Sequence, residues 1–407
     1  MTNNIENYDF TIVGGGLIGS IVAMALSEQK YKCCLIEKEK LDYDNKKQST
    51  VNPISINYRS ILILKKYKLW DPSKIFCNNI NDLIFKCHNN LHKLSFSSKH
   101  LKIPTLGYVL DRSSFTNYIQ TQCKQLEKIK CYNSTKIKDM KINSDDRFEV
   151  NLITNNNEKK ILSTFVIASD GSPSEIATKI GFNMEHINYN QTSHMFNCVA
   201  DFTNNLAIQH INNDGFFAHI PFSDKGTNII LTINDDRKKK YFDTDNRLKS
   251  EIIYRIFQPY LKNILSLKYI TSYKMHTIRS KEIFLKNVLL LGNSSQLLHP
   301  VGAQGFNLGL RNIETLTDNL SLIKKKDDTS IKNALENVAE IISKDRQKTF
   351  DYIDFSTKII SNNRTFSILT SSLLIHILKC SKTAKTSFLN KILGLDGIKY
   401  LALKNEF

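Results

Sequence analysis

Apolar and polar positions follow two different periods along this chain. Residues 10–13 are an apolar run of strand formers bounded by glycine, after which Ile18, Ile21, Val22, Ala25 and Leu26 recur at helical spacing. Residues 33–36 are apolar again and end at Glu37, so the first forty residues predict a βαβ unit. Apolar strands are also predicted at 165–168, running into Asp170-Gly171 and a helix, and at 287–291, running into Gly292-Asn293. Between about 185 and 275 the polarity alternates in short runs, such as FFAHIPF at 216–222 and TNIILTIN at 227–234. That alternation predicts antiparallel strands. Helical patterns follow at 308–316 and at 366–380, where Phe366, Leu369, Leu373 and Ile377 share a face. The helical reading of 55–71 ends in Trp70.

The glycines punctuate this pattern in a way that points to a ligand. Gly14, Gly15, Gly16 and Gly19 stand in G-x-G-x-x-G spacing between the first strand and the first helix. Gly14 permits the tight turn, Gly16 lets a pyrophosphate approach the backbone, and Gly19 lets the helix pack on the sheet. Glu37 falls about twenty residues further on, where a carboxylate bonds a ribose hydroxyl. The unit is read as dinucleotide-binding, for FAD or NAD. A second glycine-rich stretch, HPVGAQGFNLGLRN at 299–312, runs directly into a helix. Glycine inside a helix costs about 1 kcal/mol against alanine, so such a stretch serves a backbone that must come close to something and present N–H groups there.

Composition adds bounds. The 407 residues give room for one large or two modest domains, and 41% hydrophobic with 23% charged residues is a globular balance. The net charge of +17 fits attraction to a membrane leaflet, nucleic acid or an acidic partner, and equally an AT-rich coding sequence that favours lysine. The lysines are scattered, the runs at 237–240 and 324–326 read as solvated loops, and no nucleic-acid module accompanies them. The 8 cysteines include no C-x-x-C pair, and the adjacent Cys33 and Cys34 point to opposite faces of a strand, which favours reduced thiols in the cytosol. Neither a signal peptide nor a membrane-spanning run is read. No Ser-His-Asp signature or metal-spaced His/Cys cluster is read either.

Taken together, the three glycine-bearing segments resemble the class A flavoprotein monooxygenases, the para-hydroxybenzoate hydroxylase superfamily. LGNSSQLLHPVGAQGFNLGLRN at 291–312 is similar to the branch that hydroxylates ubiquinone precursors, the UbiH-like branch, as are LGYVLDRSSF at 106–115 and SINYRSILILKKYKLWD at 55–71. The resemblance covers roughly residues 8 to 320. It implies an α/β fold: a Rossmann-like FAD-binding domain (1–75, 105–185 and 275–345), an inserted antiparallel β-sheet substrate domain (76–104 and 186–274) and a helical C-terminal region (346–407). It implies FAD contacts at Gly14, Gly15, Gly16, Gly19, Glu37, Arg112, Asp170, Gly171, Gly292, Asn293, Gly302, Gln304, Gly305, Phe306 and Asn307. The loop at 300–305 would then lie against the isoalloxazine, with the helix behind it turning its positive end to the flavin pyrimidine.

The implied chemistry is hydroxylation of the aromatic ring of a polyprenylated phenol by O2, through a flavin C4a-hydroperoxide, with NAD(P)H as electron donor. His299 and Pro300 are the candidate catalytic residues, His299 as a base or as a shaping residue beside Pro300. Phe216, Phe217, His219 and Pro221 are candidate substrate-pocket walls, with core packing as the competing role. No metal and no nucleic acid are implied. Other ubiquinone-biosynthesis proteins are implied partners. The resemblance places the protein in the cytoplasm, peripheral to a bacterial inner membrane, and the 366–380 helix would dock there or pack in the core. The alternatives are a same-fold flavoenzyme on a soluble phenol or an isoprenoid, and a non-catalytic scaffold of the ubiquinone-biosynthesis complex. The chain also departs from the family pattern. Asn293 and Asn312 replace aspartates, Gly215-Phe216 replaces Gly-Pro, and Asn52 stands where an arginine usually contacts cofactor. Arg59 or Arg112 would have to compensate, with Arg112 favoured.

Overall fold

The computed structural model describes residues 5–40, 52–87, 92–155, 157–212, 214–237, 246–361 and 376–395. Residues 238–240 of the first lysine run and 366–375 of the late helical pattern lie outside them. The expected βαβ unit is present as strand Glu6–Val13, helix Leu17–Glu28 and strand Cys33–Ile36, the two strands parallel. Its strands are apolar at consecutive positions because both faces of the sheet are covered. Cys33 packs into the core on one face and Cys34 into the core on the other.

Parallel pairing extends this sheet in both directions. Strand Ile129–Tyr132 flanks Cys33–Ile36, and strand Asn157–Ala168 flanks Glu6–Val13 with Val288–Leu290 beyond it. Three segments far apart in sequence therefore end side by side at the same sheet edge: Gly14, Ser169-Asp170-Gly171, and Leu291-Gly292. Helices Leu17–Glu28, Arg112–Lys124 and Gln304–Ser321 cover one face, which buries Ile21, Val22, Phe115, Leu310 and Leu316 completely.

A second sheet of eight strands holds Asp82–Cys87, His92–Ser97, Met184–Phe202, Leu206–Asn212, Gly215–Pro221, Gly226–Asn234 and Leu261–Ser280, closed by the short Gln296–Leu297. Its pairs are antiparallel as expected, except that Leu206–Asn212 runs parallel to Asp82–Cys87. A small third sheet joins Pro53–Asn57, Gly107–Asp111 and Cys77–Ile80. The helical expectation for 55–71 is corrected at both ends, the helix stopping at Lys66, short of Trp70. Residues 53–57 are strand, and helix Tyr58–Lys66 begins only where the Asn57 side chain caps Ser60 N–H at 3.0 Å. Downstream, the long helix Asp328–Ser361 packs on Gln304–Ser321, and helix Lys382–Ile392 returns to the body of the protein.

Candidate functional site

The glycine turn is built by close approach. Gly14 sits at φ +102°, and a Cβ there would meet the Ser169 carbonyl oxygen at 2.4 Å; a Cβ on Gly19 would lie 1.8 Å from Gly14 O. Ser169 Oγ, Ser20 Oγ and Gln120 Nε2 donate to carbonyls of the same turn, the last to Gly15 O at 2.7 Å. Gly16 differs: it precedes helix Leu17–Glu28 with ordinary φ, and a Cβ there would meet nothing within 4 Å. The missing side chain therefore leaves room on the cavity side, not inside the protein. Glu37 Oε2 accepts Gly15 N–H at 2.6 Å and Oε1 accepts Glu39 N–H at 2.9 Å. The carboxylate is thus held at the cavity wall with lone pairs left for a hydroxyl donor.

Asp170 organises the neighbouring turn. Its Oδ1 accepts Ser174 Oγ at 2.7 Å and Ser294 Oγ at 2.9 Å, and Ser294 Oγ in turn accepts Gly171 N–H at 3.0 Å. The Asp-Gly and Gly-Asn segments are therefore one hydrogen-bonded unit, with Asn293 exposed at the cavity wall.

The stretch from His299 forms a second close approach. Gly302 (φ +72°) and Ala303 (φ +52°) adopt left-handed backbone before helix Gln304–Ser321 starts, and no side chain caps that helix. Asn307 ties the start down: Oδ1 accepts Asn57 N–H (2.9 Å) and Ser60 Oγ (2.6 Å), while Nδ2 donates to Ser55 O (3.1 Å) and Ala303 O (2.7 Å). Its amide is fully committed within the protein, so Asn307 positions the helix end. Gln304 is similarly held, donating to Gly302 O at 3.1 Å, while Gly305 borders open space. Phe306 packs edge-on against Phe115.

His299 is buried, and burial lowers its pKa to about 4. Val301 N–H donates to Nδ1 at 3.2 Å, which leaves the proton on Nε2, 3.0 Å from Gln191 Oε1. Both nitrogens of a neutral ring are occupied, and Tyr189 stacks edge-on at 5.0 Å. This geometry makes His299 a positioning group for the loop and corrects its reading as a base. Pro300 is exposed at the cavity wall.

Arg112 and Arg59 also separate. Arg59 pairs with Glu314 at 2.5 Å, whereas Arg112 is exposed at the cavity wall with no ion pair among the described residues. The Arg112 backbone N–H donates to Asn52 O at 2.8 Å, so its guanidinium springs from beside the position of the lost arginine. Arg311 pairs with Asp345 at 2.8 Å, turned away from the cavity wall.

All of these elements border one cavity of about 880 Å³. It runs from Glu37 and the glycine turn, past the two uncapped helix starts at 17 and 304, to a chamber walled by the second sheet. Here the pocket assignment is corrected. Phe216, Ala218 and Ile220 face the chamber, while Phe217 (0% exposed) and His219 (1%) lie on the opposite face with Phe202 and Phe257. Pro221 shares that parity and is absent from the cavity wall. Sequence reading also passed over Ile54, Leu83, Phe85, Gln209 and the distant Ile392 and Leu393, all of which border the cavity.

The site fits a flavin dinucleotide on its own evidence. Two helix N-termini without side-chain caps or first-turn acids offer free N–H groups to anions, and Gly16 and Gly305 leave the backbone bare where those groups point into the cavity. A family model described as FAD binding domain matches residues 7–331. The chain is 23% identical to the mitochondrial ubiquinone biosynthesis monooxygenase COQ6 of Dictyostelium discoideum, over 90% of its own length and 87% of the relative's. It is 22% identical to the 3-demethoxyubiquinol 3-hydroxylase of Escherichia coli strain K12, over 78% of this chain and 80% of that one. Among solved structures, the fold is similar to that of p-nitrophenol 4-monooxygenase PnpA from Pseudomonas putida DLL-E4. The TM-score is 0.76 at 15% identity, covering 97% of this chain and 100% of that one.

Proposed function

The chain belongs to the FAD binding domain family, and from that membership we propose that it is an FAD-dependent monooxygenase hydroxylating the aromatic ring of a polyprenylated phenol in ubiquinone biosynthesis. The observation that carries this reading is that one continuous cavity joins a dinucleotide cradle to an apolar chamber. The names of the relatives from Dictyostelium discoideum and Escherichia coli support the substrate class.

Bound FAD supplies the redox chemistry: in reduced form it activates O2 for insertion into the ring. The protein's own groups do the rest. The Gly16 N–H and the first N–H groups of helix Leu17–Glu28 take the diphosphate, the Gly14 and Gly15 N–H groups being held by Ile36 O and Glu37, and Glu37 takes the adenosine ribose. Arg112 supplies the cation that Asn52 lacks, and Asn293 bonds the ribityl chain. The start of helix Gln304–Ser321 places N–H groups and a positive dipole end where negative charge must be favoured. His299, locked by Gln191 and Val301, holds that loop in register beside Pro300. The apolar chamber orients the ring and excludes water.

Electrons come from NAD(P)H, bound transiently because the sequence carries one dinucleotide fingerprint. No helix among the described residues is long and apolar enough to cross a membrane. The +17 charge and the lipid-soluble substrate support peripheral contact with the cytoplasmic face of a bacterial inner membrane, beside other proteins of the same pathway.

The test is the visible absorbance of the purified protein, recorded before and after NADH or NADPH with and without a prenylated phenol. Paired flavin bands that bleach faster with the phenol are expected. Bleaching that a soluble phenol accelerates equally would move the substrate to a water-soluble ring. Failure to take up supplied FAD would leave a scaffold.

A further inference from the structure

Four strands of the second sheet, Asp82–Cys87, Leu206–Asn212, Gly215–Pro221 and Gly226–Asn234, give the chamber one wall. Period-two alternation sends one side-chain set to the chamber and the other to the core behind it. The chamber set reads Leu83, Phe85, Phe216, Ala218, Ile220 and Ile230, with one polar member, Gln209. Gln209 lies in the middle of this wall, paired through the backbone with Phe85 on one side and Ala218 on the other. Its Oε1 is buried without a hydrogen-bond partner. The charged groups bordering the cavity, such as Glu37, Arg112 and Asp170, stand on other elements, around the dinucleotide cradle.

A buried amide oxygen left unpaired is costly, on the order of 1–3 kcal/mol, and a chain that keeps one on an otherwise apolar wall retains a vacancy for a donor. A donor without charge suits it, because neither charged residue of these strands, Asp82 or Lys86, borders the cavity to receive a carboxylate or an ammonium. We propose that Gln209 is the specificity-determining residue of the chamber, its amide oxygen accepting the hydroxyl of a neutral phenol whose other substituents are hydrocarbon. This rests on the reading of the chamber as a site for aromatic substrates. The hydrogen bond fixes which edge of the ring faces the cofactor end, while the surrounding apolar side chains hold the rest. A site that bonds a substrate hydroxyl discriminates strongly against an analogue lacking it, because the protein group is then left unpaired.

The experiment measures dissociation constants for a short-chain prenylated phenol and for its methyl ether, which keeps the shape but cannot donate. Quenching of protein fluorescence in the FAD-loaded protein reads binding without turnover. The wild type is expected to prefer the phenol by about tenfold or more. Gln209→Met, close in volume, and Gln209→Leu are both expected to bring the two ligands within about threefold while retaining FAD and the wild-type melting temperature. Weaker binding of both ligands with the preference intact would overturn the assignment of Gln209 and leave the chamber reading standing. Binding of neither ligand to the wild type would remove the chamber reading, and the assignment with it. If one variant fails to fold, the other still gives the ratio.

Discussion

Among the described residues Arg112 contributes the one arginine side chain that borders the cavity, and it is free because Arg59 is spent on Glu314. Arg112→Met should therefore raise the dissociation constant for FAD by about 10–100-fold, the roughly 1–3 kcal/mol of a charge-assisted bond, with little change in melting temperature. Asn52→Arg in that background should recover part of the loss, since the two residues are joined through their backbones; FAD titration of the apoprotein measures both effects. The histidines make a prediction about pH. Burial lowers His299 and the core residue His219 each to about 4, below the ordinary value near 6.5. The unfolded chain takes up these protons at a higher pH than the native one, so stability is highest above pH ~6.5 and falls as pH drops toward ~4. Each should contribute roughly 2 kcal/mol of loss by pH ~4.5, and His219→Leu should flatten part of the slope in denaturant midpoint against pH. A midpoint independent of pH across that window would mean both rings are solvated.

At the scale of elements, the two functional glycine types come apart by experiment. Gly19→Ala drives a Cβ to 1.8 Å from a backbone oxygen and should destabilise the apoprotein by several kcal/mol, on the order of 3. Gly16→Ala meets no protein atom within 4 Å and should leave the apoprotein's melting temperature nearly unchanged, yet lower FAD affinity more than tenfold (about 1.4 kcal/mol). Equal retention of FAD by both folded variants would mean the diphosphate lies elsewhere. The βαβ unit and its glycines were legible because strand, turn and helix are local and each role has a residue type that fills it. Strand Gly215–Pro221 was legible as a strand but not in its facing: both faces are buried, and its polar member, His219, lies with Phe217 on the face away from the cavity, so polarity alone could not choose between Phe216 and Phe217. Residues 53–57 escaped for a related reason: Ile54 and Ile56 of the strand are followed closely by Ile61 to Leu64 of the helix, so that the boundary rests on the Asn57 cap.

On the scale of the whole molecule, the cavity is assembled from segments with no local signature of each other. Helix Lys382–Ile392 is the clearest case: Phe388 stacks on Phe96 and edges onto Phe85, and Ile392 O accepts from Asn57 Nδ2 and Gln304 Nε2, both at 3.4 Å. Nothing in the sequence near 392 announces that it borders the same cavity as Gly14; only the tertiary path brings it there. Charge is the opposite kind of property, legible from composition and indifferent to fold. A net +17 suits attraction to an anionic surface as well as a lysine-rich coding sequence, and the proposed lipid-soluble substrate would give the protein a reason to be near such a surface. The expected outcome is co-sedimentation with vesicles containing anionic phospholipid, weak or absent with purely zwitterionic vesicles, and reversed as ionic strength approaches ~1 M, where the screening length falls to about 3 Å. Binding that resists salt would instead require inserted apolar side chains and would direct attention to the C-terminal helices. Absence of binding at low salt would leave the positive charge as a trait of lysine-rich composition and require the substrate to be delivered by another protein.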